Sequence, residues 1–266
     1  MSLPEVVEVL VLAKAYPNPS RLYGEGVCVA GVTRDGRWIR LYPVDFRHLP
    51  EAQRFSKWQW VRASVRKART DPRAESYRPD PASLEPLERV TGWASRRELV
   101  GQLLSPSLES LKESEASLGV IRPAEVQRFA WETRRPTSWS PEEKAHLWRA
   151  SHSLFGHGRS VPMLERIGHT FYYEFTCGEH CAGHKLSVVD WELVQSYRKW
   201  RGEGQRTPPD SLRDKYFTEL AARRDLHFVV GTTQAQNHYR TFLIIGLFYP
   251  PKAICGQAEQ VLIKWS

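Results

Sequence analysis

Between residues 6 and 68 the chain carries four short apolar runs, the first three joined by turns, and that spacing constrains the fold more than any other feature. Val6 to Ala15 reads as a strand, the Pro-rich turn "YPNPSRLYGEG" follows, and Val27 to Thr33 reads as a second. The turn "RDG" leads into "RWIRLYPV", and "WQWVRASVRKA" supplies a fourth strand. Strands arriving in such quick succession form a meander, and four or five of them suit a small five-stranded barrel of the OB type.

Side chains alternate along a strand, so Ile39 and Leu41 share one face while Trp38, Arg40 and Tyr42 share the other. In the fourth strand the same parity groups Val61, Ala63 and Val65, leaving Trp58, Trp60, Arg62 and Arg66 opposite. Aromatics interleaved with arginines suit a single-stranded nucleic-acid groove, where bases stack for about 1–3 kcal/mol each and guanidinium groups neutralise phosphate. The competing reading has the tryptophans packing under other elements with the arginines snorkelling over them.

Charge supports an anionic partner. The net charge is +8 with a pI near 9.4, and Arg54, Lys57, Arg62, Arg66, Lys67, Arg69 and Arg73 face only Asp71 in their segment. A solvated strand face would carry the same charges.

From Thr91 to Ala150 the sequence predicts short helices: Ser95 with Glu98 as a capping box, Pro123 opening "AEVQRFAWETRR", and Ser140, Pro141 and Glu143 starting another. A second module begins near Val161. Phe171, Tyr173 and Phe175 alternate as one strand face, helices follow from about Val189 to Trp200 and from Asp210 or Ser211, and "LHFVVGT" and "YRTFLIIGLFY" close the chain as strands. That half reads as α+β.

Cys177, Cys181 and His184 form Cys-x3-Cys-x2-His in a glycine-containing loop, which lets one short segment supply three zinc ligands at little closure entropy. Cys255 is the first candidate for the fourth ligand, with His169 and Cys28 more remote. Structural zinc is the leading reading; an iron–sulfur cluster, redox thiols, an open catalytic zinc and a metal-free loop are the others. Downstream, Asp190 and Glu192 with Lys185 invite a magnesium-nuclease reading, against which stands an N-cap Asp followed by a first-turn Glu. No glycine-rich nucleotide motif, nucleophile elbow or His-Glu-x-x-His helix is present.

Glu5 and Glu8 stand where a signal peptide carries positive charge, the longest apolar run is strand-sized, and four cysteines suit a reducing compartment, so a cytoplasmic chain without membrane association is expected.

Four stretches, "GEGVCVAGVTRDGRWIRLYPV", "VRKARTDPRAESYRPD", "HKLSVVDWELVQSYRKW" and "VVGTTQAQNHYRTFLIIGLFYPPK", resemble a bacterial family described as a dual OB-containing domain. The resemblance spans nearly the whole chain, implies two OB-like barrels and brings no catalytic residues. The resulting expectation is an α+β, mainly β protein: an OB-like barrel over residues 1–90, a helical connector over 91–160, and an OB-like α+β module with the Cys/His loop over 161–266. The function expected is nucleic-acid binding as a non-catalytic adaptor in repair, replication or anti-phage defence, beside a protein such as a nuclease or helicase. A metal-dependent enzyme acting on nucleic acid and a protein-interaction subunit are the alternatives.

Overall fold

The computed structural model describes residues 3–20, 24–151, 161–202, 208–233 and 241–252. Seven strands form the first module: β1 (Glu5–Lys14), β2 (Asn18–Ser20), β3 (Gly24–Thr33), β4 (Trp38–Val44), β5 (Gln59–Lys67), β6 (Ser76–Pro79) and β7 (Glu85–Arg89). Five of them close into a barrel in the order β1-β3-β4-β6-β5 and back to β1, with β4 and β6 parallel and every other pair antiparallel. The N-terminal half of β1 pairs with β5 and its C-terminal half with β3.

Helix α1 (Trp93–Gly101) leads into the second module. There β8 (Leu104–Ser105), β9 (Leu118–Ile121), β10 (Glu125–Thr133), β11 (His169–Thr176), β12 (His184–Val188), β13 (His227–Thr232) and β14 (Phe242–Phe248) make a sheet of order β10-β11-β12-β14-β13-β9-β8. Strand β10 at one end of this order and β9, next to last at the other, are successive stretches of chain on either side of Arg122–Ala124. Counted as one bent strand, they pair with β13 through the N-terminal part and with β11 through the C-terminal part, and β12 and β14 are the parallel pair. The second module therefore repeats the strand order of the first.

Helices α2 (Leu108–Glu113), α3 (Pro141–Ser151) and α4 (Trp191–Trp200) and the helical run of α5 (Asp210–Arg213), a π-helical segment (Asp214–Glu219) and α6 (Leu220–Arg223) decorate the strands. The chain is thus mainly β with a few helices, in two modules. Among the described residues no helix is long and apolar enough to cross a membrane.

Several expected elements are where the sequence places them. Ser140 and Glu143 form a reciprocal capping box at α3, with Glu143 N donating to Ser140 Oγ at 3.1 Å and Ser140 N donating to Glu143 Oε2 at 2.8 Å. Leu212, Tyr216 and Leu220 all point into the second core. The helical connector over 91–160 is a correction: α1 begins at Trp93 behind Gly92 rather than at a Ser95 box, and "EVQRFAWET" is strand β10, held by its ladder to β11. Two strands, β6 and β7, also lie in the stretch "TDPRAESYRPDPASLEPLERV", whose prolines and charges by themselves mark a long surface segment.

Three apolar layers result. Val9, Val11, Val29, Ile39, Leu41, Val61 and Val65 fill the first barrel, and Phe129, Phe171, Tyr173, Phe175, Phe228 and Ile244 fill the second. Between them Leu10, Leu12, Ala30, Val32, Trp58 and Trp60 of the first module pack on Val120, Val229, Ile245 and Phe248 of the second. Strand β1 is buried on both faces, Val9 to Ala13 being at most 1% exposed. The backbones approach so closely that a Cβ at Gly246 would lie 2.7 Å from the Ala13 Cβ.

Candidate metal centre and basic surfaces

The β11–β12 loop brings Cys177, Cys181 and His184 together, and α2 lays Glu109 against them. Cys181 Sγ lies 3.2 Å from His184 Nε2, His184 Nε2 lies 3.3 Å from Glu109 Oε1, and all four donor atoms fall within 4.8 Å of one another. A tetrahedral zinc with bonds of about 2.0–2.3 Å separates its donors by roughly 3.3–3.8 Å, so two thiols, an imidazole and a carboxylate at these spacings fit one divalent ion. Burial pushes the Cys177 thiol up to about 11, a cost that coordination to a cation would reverse. Glu109 was not in the expected ligand set, because it sits far back in sequence on a short helix. Cys255 lies outside the described residues, His180 is exposed, and His169 packs on Tyr197 away from the cluster.

A second group, Glu25, Asp45 and His48, is tied up internally: Arg47 Nη1 donates to Glu25 Oε2 at 2.8 Å, and His48 Nδ1 lies 2.5 Å from Asp45 Oδ1. Asp190 is likewise committed. It caps α4 by accepting from Glu192 N at 2.6 Å, accepts from Leu247 N at 2.9 Å, and lies 3.8 Å from Lys57 Nζ. These are the bonds of an N-cap and an intermodule tie.

The residues expected on the first barrel's outer face separate into two sets. Arg40 is 3% exposed and donates to Ser117 O at 3.1 Å and Ser117 Oγ at 3.0 Å, across the module boundary. Trp58 and Trp60 are each 7% exposed in the intermodule layer, and Trp58, at φ 65°, precedes β5 instead of following its alternation. Those three are removed from any open groove, because the second module covers the outer face of β1 and β3 together with the adjoining residues of β4 and β5. Trp38 and Tyr42 are half-buried. Arg62 is exposed but paired with Glu8 at 2.9 Å and Glu85 at 2.8 Å, while Arg34 stacks 3.7 Å over the Trp60 ring.

Arg66 stands apart. It is exposed, has no carboxylate partner among the described residues, and is the register partner of Arg78 on β6. Lys67, beside it, lies 4.8 Å over the Tyr77 ring, and Arg69 is exposed on the following loop.

Residues 106–263 match the family model of a domain of unknown function (DUF8757), more than half the chain. The chain belongs to the DUF8757 family. The DUF8757 match opens just after Leu104, where β8 begins the second sheet, and residues 5–102 match a separate domain of unknown function (DUF8758) that coincides with the first barrel and α1. No curated protein matches the chain.

Proposed function

We propose that the chain is a non-catalytic nucleic-acid-binding protein built from two OB-like barrels, the second pinned by a structural zinc on Cys177, Cys181, His184 and Glu109. A five-stranded Greek-key barrel with one parallel pair is the OB arrangement, whose usual ligand surface is the face of its second and third strands. In this chain that face is taken: Ala30, Val32 and Arg40 are buried against the second module. The polyanion must therefore use another surface, and the outer face of β5 and β6 carries exposed Arg66 and Arg78.

The observation that carries this reading is the Arg66–Arg78 register pair. Like charges directly opposite on neighbouring antiparallel strands destabilise the sheet, and no described carboxylate relieves Arg66. With exposed Arg69 on the following loop, Arg66 offers a phosphate backbone a guanidinium that no described carboxylate holds.

The test is a titration of labelled single-stranded DNA and RNA with the full chain and with Arg66→Glu/Arg69→Glu at several salt concentrations. The double variant is expected to bind at least about tenfold more weakly with a salt slope shallower by about two. It should stay folded, because the carboxylate introduced at position 66 stands opposite Arg78 and replaces a like-charge pair with an opposite-charge one. Equal affinity and equal slope in both proteins would refute the reading.

A further inference from the structure

A crevice of about 480 Å³ lies between the modules on the α4 side, lined by Tyr16, Phe46, Arg47 and Arg54 from the first and by Trp191 and Arg198 among others from the second. Its size is within the range of roughly 300–1,000 Å³ typical of small-molecule sites. Among its lining residues are three arginines against one carboxylate, Glu165. Each guanidinium is already oriented: Arg54 by Leu49 O at 3.1 Å and Arg47 O at 3.4 Å, Arg47 by Glu25 at 2.8 Å, Arg198 by Glu165 at 2.9 Å and Gln195 at 3.1 Å. Arg54 has no carboxylate partner among the described residues, so its charge is uncompensated.

The aromatic side of the crevice is equally organised. Phe46 meets Trp191 edge to face at 5.3 Å, Tyr16 meets Trp191 at 6.3 Å, and all three rings are half-buried. Beneath them Lys14 holds its ammonium 4.0 Å from the Phe46 ring centre. Preoriented forked cations bind phosphate oxygens in pairs, and partly exposed rings stack on bases. Both kinds of group line a single cavity here.

We infer that this intermodule crevice binds one nucleotide unit, its phosphate on Arg47, Arg54 and Arg198 and its base against Phe46, Tyr16 and Trp191. The inference rests on the nucleic-acid reading for its class of ligand, but it uses none of the β5–β6 residues. Because the two modules each supply part of the wall, an occupant would also brace their relative position.

Isothermal titration of the full chain with adenosine 5′-monophosphate, with inorganic phosphate and with an oligo-dT strand tests this, each repeated on Arg54→Glu and on Arg66→Glu/Arg69→Glu. Arg54 is exposed, so its reversal leaves the fold intact. The expected result is tenfold or greater weakening by Arg54→Glu of the mononucleotide (a free nucleotide is the occupant) or of the strand alone (a nucleotide within a strand is), with inorganic phosphate binding more weakly than the nucleotide. The β5–β6 variant should leave mononucleotide binding unchanged. If neither nucleotide nor strand binding responds to Arg54→Glu, the crevice assignment fails; if the strand still responds to the Arg66→Glu/Arg69→Glu change, the broader reading survives that failure. Tight binding of inorganic phosphate equal to that of the nucleotide would overturn the role given to the rings.

Discussion

Lys14 shows how a single residue can carry a pH dependence into this fold. Its ammonium donates to Phe55 O at 3.0 Å and lies among Phe46, Phe55 and Trp191, and burial lowers its pKa from 10.5 to about 8. Below about pH 8 folded and unfolded chains both bind the proton, and the folded state bears the whole desolvation cost. Between about 8 and 10.5 the unfolded chain binds more proton than the folded one, so stability rises with pH by at most roughly 3 kcal/mol. Lys14→Met should abolish that rise. Urea midpoints of the wild-type and variant chains at pH 7.5 and pH 10 measure it, and a parallel response of the two proteins would contradict the assignment. At the same scale, the fate of the arginines and tryptophans shows what a sequence pattern can and cannot decide. Strand parity correctly separates Val61, Ala63 and Val65 from Trp60, Arg62 and Arg66, since the first set fills the barrel. Parity says nothing about what covers the outer face, and that is what distinguishes buried Arg40 and Trp60 from exposed Arg66. One signal was present: the uninterrupted apolar run Val9–Ala13 is the pattern of a strand buried on both faces, whereas a strand with one wet face alternates.

At the level of elements, loop and helix signals were legible where the local chemistry is self-sufficient, as in the Ser140 capping box and the Asp190 cap of α4. Strands β6, β7 and β10 were not, because their sequences are polar or proline-containing and their stability comes from ladders to distant strands. The candidate metal cluster divides in the same way. Three donors share one loop and could be read from spacing, while Glu109 arrives on α2, some seventy residues earlier, through tertiary packing alone. If Glu109 closes the site, purified full chain should contain about one zinc, Cys181→Ser should lose it, and Glu109→Ala should weaken its retention against a chelator by about tenfold or more, read by elemental analysis. Cys255→Ser should keep the metal. Full retention in Glu109→Ala together with loss in Cys255→Ser would transfer the fourth position to the cysteine.

For the molecule as a whole, the decisive contact is the layer between the modules, which is apolar at its centre and polar around it. Leu10, Leu12, Val32 and Trp60 meet Val120, Val229 and Ile245, and around this patch Arg40 and Arg73 both reach Thr232 O, at 3.5 and 2.6 Å, while Lys57 donates to Leu247 O at 2.5 Å. Such a core ties the two barrels into one cooperative unit, because parting them exposes large apolar faces and strands buried carbonyls and guanidinium groups at once. The wild-type chain should therefore unfold in a single transition, with tryptophan fluorescence and far-UV dichroism coinciding. Arg40→Ala removes the donors to Ser117 O and Oγ, and leaves Thr232 O to Arg73 alone, with both barrel interiors untouched. It should cost about 2–4 kcal/mol and split unfolding into two steps as the modules part before either melts. Two separated transitions already in the wild type would show that the barrels fold independently, and an Arg40→Ala chain as stable as the parent would show that the buried arginine does not hold them together.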